Sequence, residues 1–250
     1  MLLAVDAGNT QTVFGLYDDG KLLEHWRVAT EAQRTGDELG ALIGRFIDLE
    51  TVDGVCLSSS VPPLIREYEL FAERWAHAPL LVLGPGVRTG LALRYDDPRE
   101  LGPDRIANSV AAKERYGAPC IVVDFGTSTN FDVVSAKGEF LGGALAPGVE
   151  ISLDALAARA AQLRKVEFVA PRSVIAKNTV EALQSGALYG FAGQVDGIVT
   201  RIVAELGGEV TAVIATGGLA PVVIKESSTV TVHRPDLTLQ GLRLVFDKNT

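Results

Sequence analysis

Two short apolar runs end in the same way, with an aspartate followed by a glycine-containing polar turn. The run at 2–6 leads into a turn with Gly8, and the run at 120–124 leads into a turn with Gly126. Apolar runs of this length bounded by glycine and small polar residues predict buried strands. A second apolar segment follows each turn, so we predict that each turn opens a β-hairpin.

The two hairpins belong to a longer repeat. Shifted by 118 positions, the N-terminal segment matches the later one without a gap; the matched pairs include Asp6 with Asp124, Gly8 with Gly126, Thr10 with Ser128, and Gly20 with Gly138. Such internal similarity predicts two domains of like fold. A helix should stop near 116–119, so we predict domains 1–117 and 118–250.

Helical patterns alternate with the strands. Thr35 and Glu38 form a candidate capping box, and further helices are predicted after Pro103, over 154–163 and over 179–206, the last as one long helix or two with a kink. The C-terminal segment 238–249 is also predicted helical and could pack on either domain. This alternation predicts an α/β protein with mixed sheets.

Four glycines mark the predicted helix 179–206: Gly186, Gly190, Gly193 and Gly197. Glycine inside a helix costs up to about 1 kcal/mol relative to alanine, so the series indicates close approach of another backbone. Packing within the chain and a homodimer contact both explain it.

Composition narrows the class of protein. Of 250 residues 47% are apolar, and the net charge of −8 argues against sequence-independent nucleic-acid binding, which needs clustered Lys and Arg. Cys56 and Cys120 lie in apolar segments, which favours buried thiols in a reducing compartment. No apolar run reaches 18 residues and no signal peptide is recognised, so we expect a cytoplasmic protein without membrane contact.

The repeated turns indicate the chemistry. Glycine allows a backbone to approach a phosphate, and an adjacent carboxylate can hold Mg²⁺ or its waters, so two such turns across a cleft could bind a polyphosphate. A third strand ends in Thr216-Gly217-Gly218, which suggests a site for adenosine. One D-x-G alone is usually an ordinary turn, and the duplication is what favours the functional interpretation.

Five motifs together carry a resemblance: DAGNT at 6–10, LGPDR at 101–105, DFGTST at 124–129, GGALAPG at 142–148 and ATGGLA at 215–220. They resemble the acetate and sugar kinase, Hsp70 and actin superfamily, and within it type III pantothenate kinase. The resemblance covers essentially the whole chain. It implies an α/β fold of two ribonuclease H-like domains of duplicated topology with an interdomain nucleotide cleft.

The resemblance also implies a reaction. ATP would phosphorylate the primary alcohol of pantothenate, the first step of coenzyme A biosynthesis, in a homodimer that uses Mg²⁺ and a monovalent cation, K⁺ or NH₄⁺. The ATP-binding positions would be Asp6, Ala7, Gly8, Asn9, Thr10, Gln11, Thr12, Val13 and Thr127, with Asp6 near Mg²⁺ and Asp124 at the monovalent cation. The pantothenate-binding positions would be Tyr95, Gly102, Pro103, Asp104, Arg105 and Thr179, with Asp104 as proton acceptor.

The residues at 104 and 105 suit these roles chemically. An alcohol nucleophile needs a placed proton acceptor, and an arginine can bind a carboxylate with two parallel hydrogen bonds. The alternative for Asp104 is simple stabilisation of a helix N-terminus after Pro103. Ser128 and Asn130 depart from the family's second phosphate motif. Two rival functions stay open: a phosphohydrolase of the same superfamily, and a non-catalytic regulatory homologue.

Overall fold

The computed structural model describes residues 1–160 and 163–250 and divides the chain into two compact units. The first unit contains Met1–Ala111 together with Asp236–Thr250, and the second contains Ala112–Pro235. The C-terminal helix therefore belongs to the first unit, which settles where that segment packs. The division into domains 1–117 and 118–250 stays a prediction.

The first unit consists of a sheet with helices. Its elements are β1 (Leu2–Ala7), β2 (Gln11–Asp18), β3 (Lys21–Ala29), α1 (Gly36–Ile43), β4 (Gly54–Ser59), α2 (Pro62–Phe71), β5 (Leu80–Val82), β6 (Ala92–Leu93), α3 (Pro103–Tyr116), which extends past Ala111, and α7 (Leu237–Asp247). The sheet has the order β3-β2-β1-β4-β5, with antiparallel pairs β1–β2 and β2–β3 and parallel pairs β1–β4 and β4–β5.

Side-chain alternation along the central strands determines which residues form the core. Val5 of β1 and Leu57 of β4 point to one face, where they pack with residues of α1 and α2 such as Leu39 and Phe71. The capping box is confirmed: the Thr35 side chain accepts from the Glu38 amide, and Glu38 accepts from the Thr35 amide. Helix α7 packs against β1 and β4, where Phe246 lies over Gly54.

The second unit repeats this arrangement. Its elements are β7 (Cys120–Phe125), β8 (Ser128–Val134), β9 (Glu139–Pro147), α4 (Val149–Arg159), α5 (Thr179–Glu205), β10 (Ala212–Thr216), α6 (Ala220–Val223) and β11 (Val232–His233). The strands follow the order β11-β10-β7-β8-β9, again an antiparallel three-stranded segment extended by parallel strands. The duplicated α/β topology predicted from the repeat is confirmed.

The gapless alignment of the repeat is wrong by one residue in the second strand of each hairpin. Val5 pairs with Phe14, whereas Val123 pairs with Phe131, so Phe131 corresponds to Phe14 at a spacing of 117. The turn after β7 is one residue shorter than the turn after β1, and Ser128 does not take the place of Thr10. The next turn restores the offset: β2 and β3 join through Asp19-Gly20, while β8 and β9 join through residues 136–138.

The predicted helices are present with adjusted ends. Helix α3 ends at Tyr116, where Gly117 adopts φ +78°, so the predicted stop is confirmed. Helix α4 begins at Val149, five residues before its prediction, and ends at Arg159; residues 161 and 162 of the predicted helix lie outside the described residues. The predicted segment 179–206 forms a single helix, α5, over Thr179–Glu205. In the part of the chain that the structure describes, none of the helices is both long and apolar enough for a membrane span.

Candidate active site

The first D-x-G turn is a tight hairpin at the carboxyl end of β1. The Gly8 amide donates to the carbonyl oxygen of Gln11 at 3.1 Å, and the Thr30 amide donates to the carbonyl of Thr10 at 3.0 Å. The hydroxyls of Thr12 and Thr30 are hydrogen-bonded at 2.8 Å. Residues 9–11 are exposed, so this turn offers an ordered but accessible surface to a ligand.

Asp6 stands at the start of that turn and is half-buried. In the parallel pair of β1 and β4 it lies beside Ser58. Its charge also acts on Tyr68: burial raises the pKa of that phenol, the positive charge of Arg34 opposes the shift, and the negative charge of Asp6 adds to it. Asp6 therefore lies beside a fully buried hydroxyl on the next strand and close enough to Tyr68 to act on its phenol.

The second turn is held by the helix that follows the sheet. The Gly126 amide donates to the Ser128 carbonyl at 3.0 Å, and the Gly148 amide donates to the Thr127 carbonyl at 3.1 Å. A Cβ on Gly148 would lie 2.3 Å from the carbonyl oxygen of Thr127, so only glycine fits there. The start of α4 thus fixes Thr127. Ser128 donates to the side chain of Asn130 at 2.6 Å, so these two departures from the family motif bond to each other.

The third turn packs directly on the second. Thr216, the last residue of β10, pairs with Asp124 of β7 in parallel register. Gly217 has φ +91°, and a Cβ there would lie 2.5 Å from the Phe125 carbonyl oxygen and 2.6 Å from Asp124 Oδ1. The second unit therefore brings the Asp124 carboxylate, a backbone carbonyl and the Gly217-Gly218 turn together.

A third group of predicted residues lies at the start of α3. The carbonyl of Gly102 accepts from the Arg105 amide at 3.1 Å, which tightens the turn that carries Asp104. Burial raises the pKa of the Asp104 carboxyl, while the amide hydrogen bond and positive charge of Arg105 oppose the shift. Arg105 is 6% exposed, and its guanidinium carbon lies 5.9 Å from the centre of the Tyr95 ring. The structure therefore brings Tyr95, Gly102, Asp104 and Arg105 together.

Thr179 belongs to the second unit. It is the first residue of α5, directly after Asn178, whose side chain caps the helix by accepting from the Glu181 amide. Thr179 lines a cavity of about 560 Å³ with Arg164, Asn178, Val180 and Leu183. Its position is compatible with a small-molecule contact.

Sequence reasoning missed one functional candidate, Ser58. Ser58 lies beside Asp6 in the first unit, in the position that Thr216 takes beside Asp124 in the second. The repeat could not reveal this equivalence, because Thr216 follows Asp124 at a much longer interval than Ser58 follows Asp6. The long helix α5 accounts for much of the difference.

The oxygen atoms near Asp6 and Asp124 are of the kinds that suit Mg²⁺ and a monovalent cation. Among the described residues there is no group of three or more His, Cys, Asp or Glu side chains placed to hold a metal. Mg²⁺ bound with a nucleotide typically needs only one or two carboxylates, because phosphates and waters complete its shell, so Asp6 suits it. The Asp124 carboxylate and the Phe125 carbonyl converge beside Gly217, and such oxygens suit a monovalent cation.

Solved structures of other proteins share the fold of this chain. The chain is similar to inorganic polyphosphate/ATP-glucomannokinase from Arthrobacter sp. (TM-score 0.55, 16% identity, covering 100% of this chain and 99% of that one). It is also similar to a Campylobacter jejuni protein described as a Baf family transcriptional activator (TM-score 0.64, 19% identity, covering 99% and 98%). These likenesses show the fold alone, two units of duplicated α/β topology, and nothing about the substrate.

The sequence comparisons identify the family. The family model for type III pantothenate kinase matches residues 2–201. Type III pantothenate kinases of Acidothermus cellulolyticus and Frankia alni are 60% and 58% identical, over 100% of this chain and at least 99% of theirs. The chain therefore belongs to the type III pantothenate kinase family.

Proposed function

We propose that the protein catalyses its family's reaction: the γ-phosphoryl group of ATP passes to the primary alcohol of pantothenate, giving 4′-phosphopantothenate for coenzyme A biosynthesis. The observation that carries the residue-level assignment is the group at the start of α3. There the half-buried carboxyl of Asp104 adjoins the buried guanidinium of Arg105, which lies over Tyr95.

Asp104 is proposed as the proton acceptor. Phosphoryl transfer depends mainly on positioning and charge stabilisation, and the protein needs little covalent chemistry of its own. Burial raises the pKa of Asp104, which makes this carboxylate a stronger base than an exposed one. Arg105 would bind the pantothenate carboxylate in two parallel hydrogen bonds, and Tyr95, Gly102 and Pro103 would shape the pocket around it.

ATP is assigned to the D-x-G turns. Residues 6–13 and Thr127 would contact its phosphates, because both turns are glycine hairpins at strand ends beside an aspartate. Mg²⁺ held by Asp6 would supply charge neutralisation for the phosphates. Asp124 would hold K⁺ or NH₄⁺ through its carboxylate, and Thr179 would add a further contact to pantothenate.

The proposed assembly is a homodimer through α5. Gly186, Gly190 and Gly193 lie on one face of this helix, and among the described residues a Cβ on any of them would meet no atom within 4 Å outside the neighbouring backbone of the helix itself. Packing within the described part of the chain therefore does not account for these three glycines. Close approach of a second copy would explain why a helix of 27 residues contains glycines that each lower its stability relative to alanine.

The cytoplasm is the proposed compartment, and the two cysteines support it. Cys56 and Cys120 are free and buried, and burial raises the pKa of each thiol to about 12.

Direct product detection tests this proposal. The protein is incubated with ATP, pantothenate and Mg²⁺ in K⁺ or Na⁺ buffer, and 4′-phosphopantothenate is measured by mass spectrometry. We expect product with a higher rate in K⁺, and loss of the K⁺ stimulation in Asp124→Ala. Nucleotide binding without product would favour a regulatory homologue. Equal K⁺ stimulation in Asp124→Ala would refute the cation assignment.

A further inference from the structure

The hydroxyl of Ser58 is buried and lacks a structural use. Ser58 is 0% exposed, and its Oγ has no hydrogen-bond partner among the residues that the structure describes. An unsatisfied buried hydroxyl costs stability, so such groups usually have a ligand or a water as partner. The neighbouring Ser59 differs, because its Oγ donates to the Val61 carbonyl at 3.0 Å and accepts from the Val61 amide at 3.1 Å.

Strand register places this hydroxyl next to Asp6. Ser58 and Asp6 are paired residues of the parallel strands β4 and β1, and side chains of paired residues point to the same face. Their neighbours Leu57 and Val5 point to the opposite face, into the hydrophobic core. Adjacent strands lie about 4.8 Å apart, which is within reach of a hydrogen bond between a serine hydroxyl and an aspartate carboxylate.

The second unit contains the equivalent pair. Thr216 of β10 lies beside Asp124 of β7 in the same parallel register and is 2% exposed. Each unit therefore places one buried hydroxyl beside the aspartate that starts its D-x-G turn. This agreement between two sequences that share few residues in these strands favours a role connected with the aspartates.

We propose that Ser58 is a positioning residue, whose hydroxyl donates a hydrogen bond to the Asp6 carboxylate when Asp6 holds the Mg²⁺ of bound ATP. This inference rests on the proposed function, which places Mg²⁺ at Asp6. The hydrogen bond fixes the carboxylate so that one oxygen faces the ion. Partners of this kind behind a metal ligand typically change metal affinity by about 10–100-fold.

Binding of a non-hydrolysable ATP analogue, measured by calorimetry at a series of Mg²⁺ concentrations, tests the role without turnover. For Ser58→Ala we expect the Mg²⁺ concentration at half-maximal binding to rise about tenfold or more. The Tm of the unliganded protein should not fall, because alanine removes an unsatisfied group. Ser58→Cys replaces the hydroxyl with a slightly larger group that is a weaker donor. Its Mg²⁺ concentration at half-maximal binding should lie between those of the wild type and Ser58→Ala.

Ser59→Ala is the matched control. It removes the two hydrogen bonds to Val61 and should lower Tm by about 2–4 °C while the Mg²⁺ requirement stays unchanged. Asp6→Asn distinguishes a failure of the proposed role of Ser58 from a failure of the assignment of Mg²⁺ to Asp6. If Asp6→Asn raises the Mg²⁺ requirement but Ser58→Ala does not, the role of Ser58 is refuted and the metal assignment stands. If Asp6→Asn has no effect, the assignment of Mg²⁺ to Asp6 fails, and the inference about Ser58 fails with it.

Discussion

Replacing Asp104 by asparagine should separate catalysis from stability. Asparagine keeps the size of the side chain and removes the charge and the basicity. A general base contributes about 10²–10⁴-fold to rate, which corresponds to about 3–5 kcal/mol of transition-state stabilisation. We therefore expect kcat for phosphopantothenate formation to fall by about 100-fold or more in Asp104→Asn, while nucleotide affinity stays within about twofold.

The stability of the same variant follows from the direction of the pKa shift. Burial raises the pKa of Asp104, so the folded chain holds that proton more tightly than the unfolded chain. The corresponding stability is fully present below the unfolded pKa, near 3.9, and is lost as pH rises through the raised folded pKa. Above that pH, the ionised Asp104 carboxylate near the N-terminus of α3 interacts favourably with the helix dipole, which returns about 0.3–1 kcal/mol to the free energy of unfolding. Asparagine never ionises, so Tm at pH 7 should be equal to or above that of the wild type.

Steady-state kinetics between pH 4 and 9 and thermal unfolding at the same pH values check both expectations. The wild-type kcat/KM should decline on the acid side with a pKa above the usual aspartate value, and this decline should vanish in the residual activity of Asp104→Asn. Asp48→Asn, which changes an exposed aspartate that caps a short helix, serves as control and should keep normal kcat. A variant at 104 with normal kcat, or with low kcat explained by a lowered Tm, would refute the assignment of the base.

Three further changes have expected outcomes. Asp196→Ala should lower the free energy of unfolding at pH 7 by about 1–3 kcal/mol in urea denaturation, because this carboxylate accepts hydrogen bonds from the loop 227–229. In the proposed homodimer, Gly190→Arg should shift the protein from dimer to monomer in analytical ultracentrifugation without lowering monomer stability, since a Cβ on Gly190 would meet no atom within 4 Å outside the neighbouring backbone of its own helix. Arg105→Lys should raise KM for pantothenate about tenfold or more with a smaller effect on kcat, because lysine cannot form paired hydrogen bonds to a carboxylate.

Each of these three substitutions has a control variant or a second measurement that checks the reasoning. Burial alone would raise the pKa of Asp196, but hydrogen bonds from Ser227, Ser228 and Thr229 together lower it, so the stability difference should shrink as pH falls below about 4. A difference that persists at low pH would contradict that account. Ala41→Arg, on the exposed surface of α1, should leave the dimer intact. For Arg105→Lys, a pantothenate analogue with an alcohol in place of the carboxylate should bind wild type and variant alike.

Local signals predicted much of the fold. The capping box at Thr35 and Glu38 places the start of α1 correctly, because both partners lie within one turn of the chain. The one-residue shift between the hairpins arises in the turn after the first strand, which is one residue shorter after β7 than after β1, and the turns at Asp19-Gly20 and residues 136–138 compensate for it. Hairpin register depends on turn length, and in the second strand Thr12 and Phe14 match Thr129 and Phe131 only at a spacing of 117, a signal that the gapless alignment overlooked.

The candidate site was likewise only partly predictable from the sequence. Asp104 and Arg105 are recognisable because they are adjacent in one motif, but the burial that raises the pKa of Asp104 arises from tertiary packing. Ser58 carries no motif of its own, and only the pairing of β4 with β1 brings it to Asp6. The exposed glycine face of α5 was left undecided by the sequence, because spacing alone does not distinguish a contact within the chain from one between copies.

The central claim is that this chain uses ATP only to phosphorylate pantothenate, with Asp104 as the general base. Coupled measurement of ADP release, with and without pantothenate and in K⁺ and Na⁺ buffers, tests it most directly. The account predicts ADP release that requires pantothenate, is stoichiometric with phosphopantothenate and is faster in K⁺. ADP release at the same rate without pantothenate would contradict the claim and indicate a phosphohydrolase.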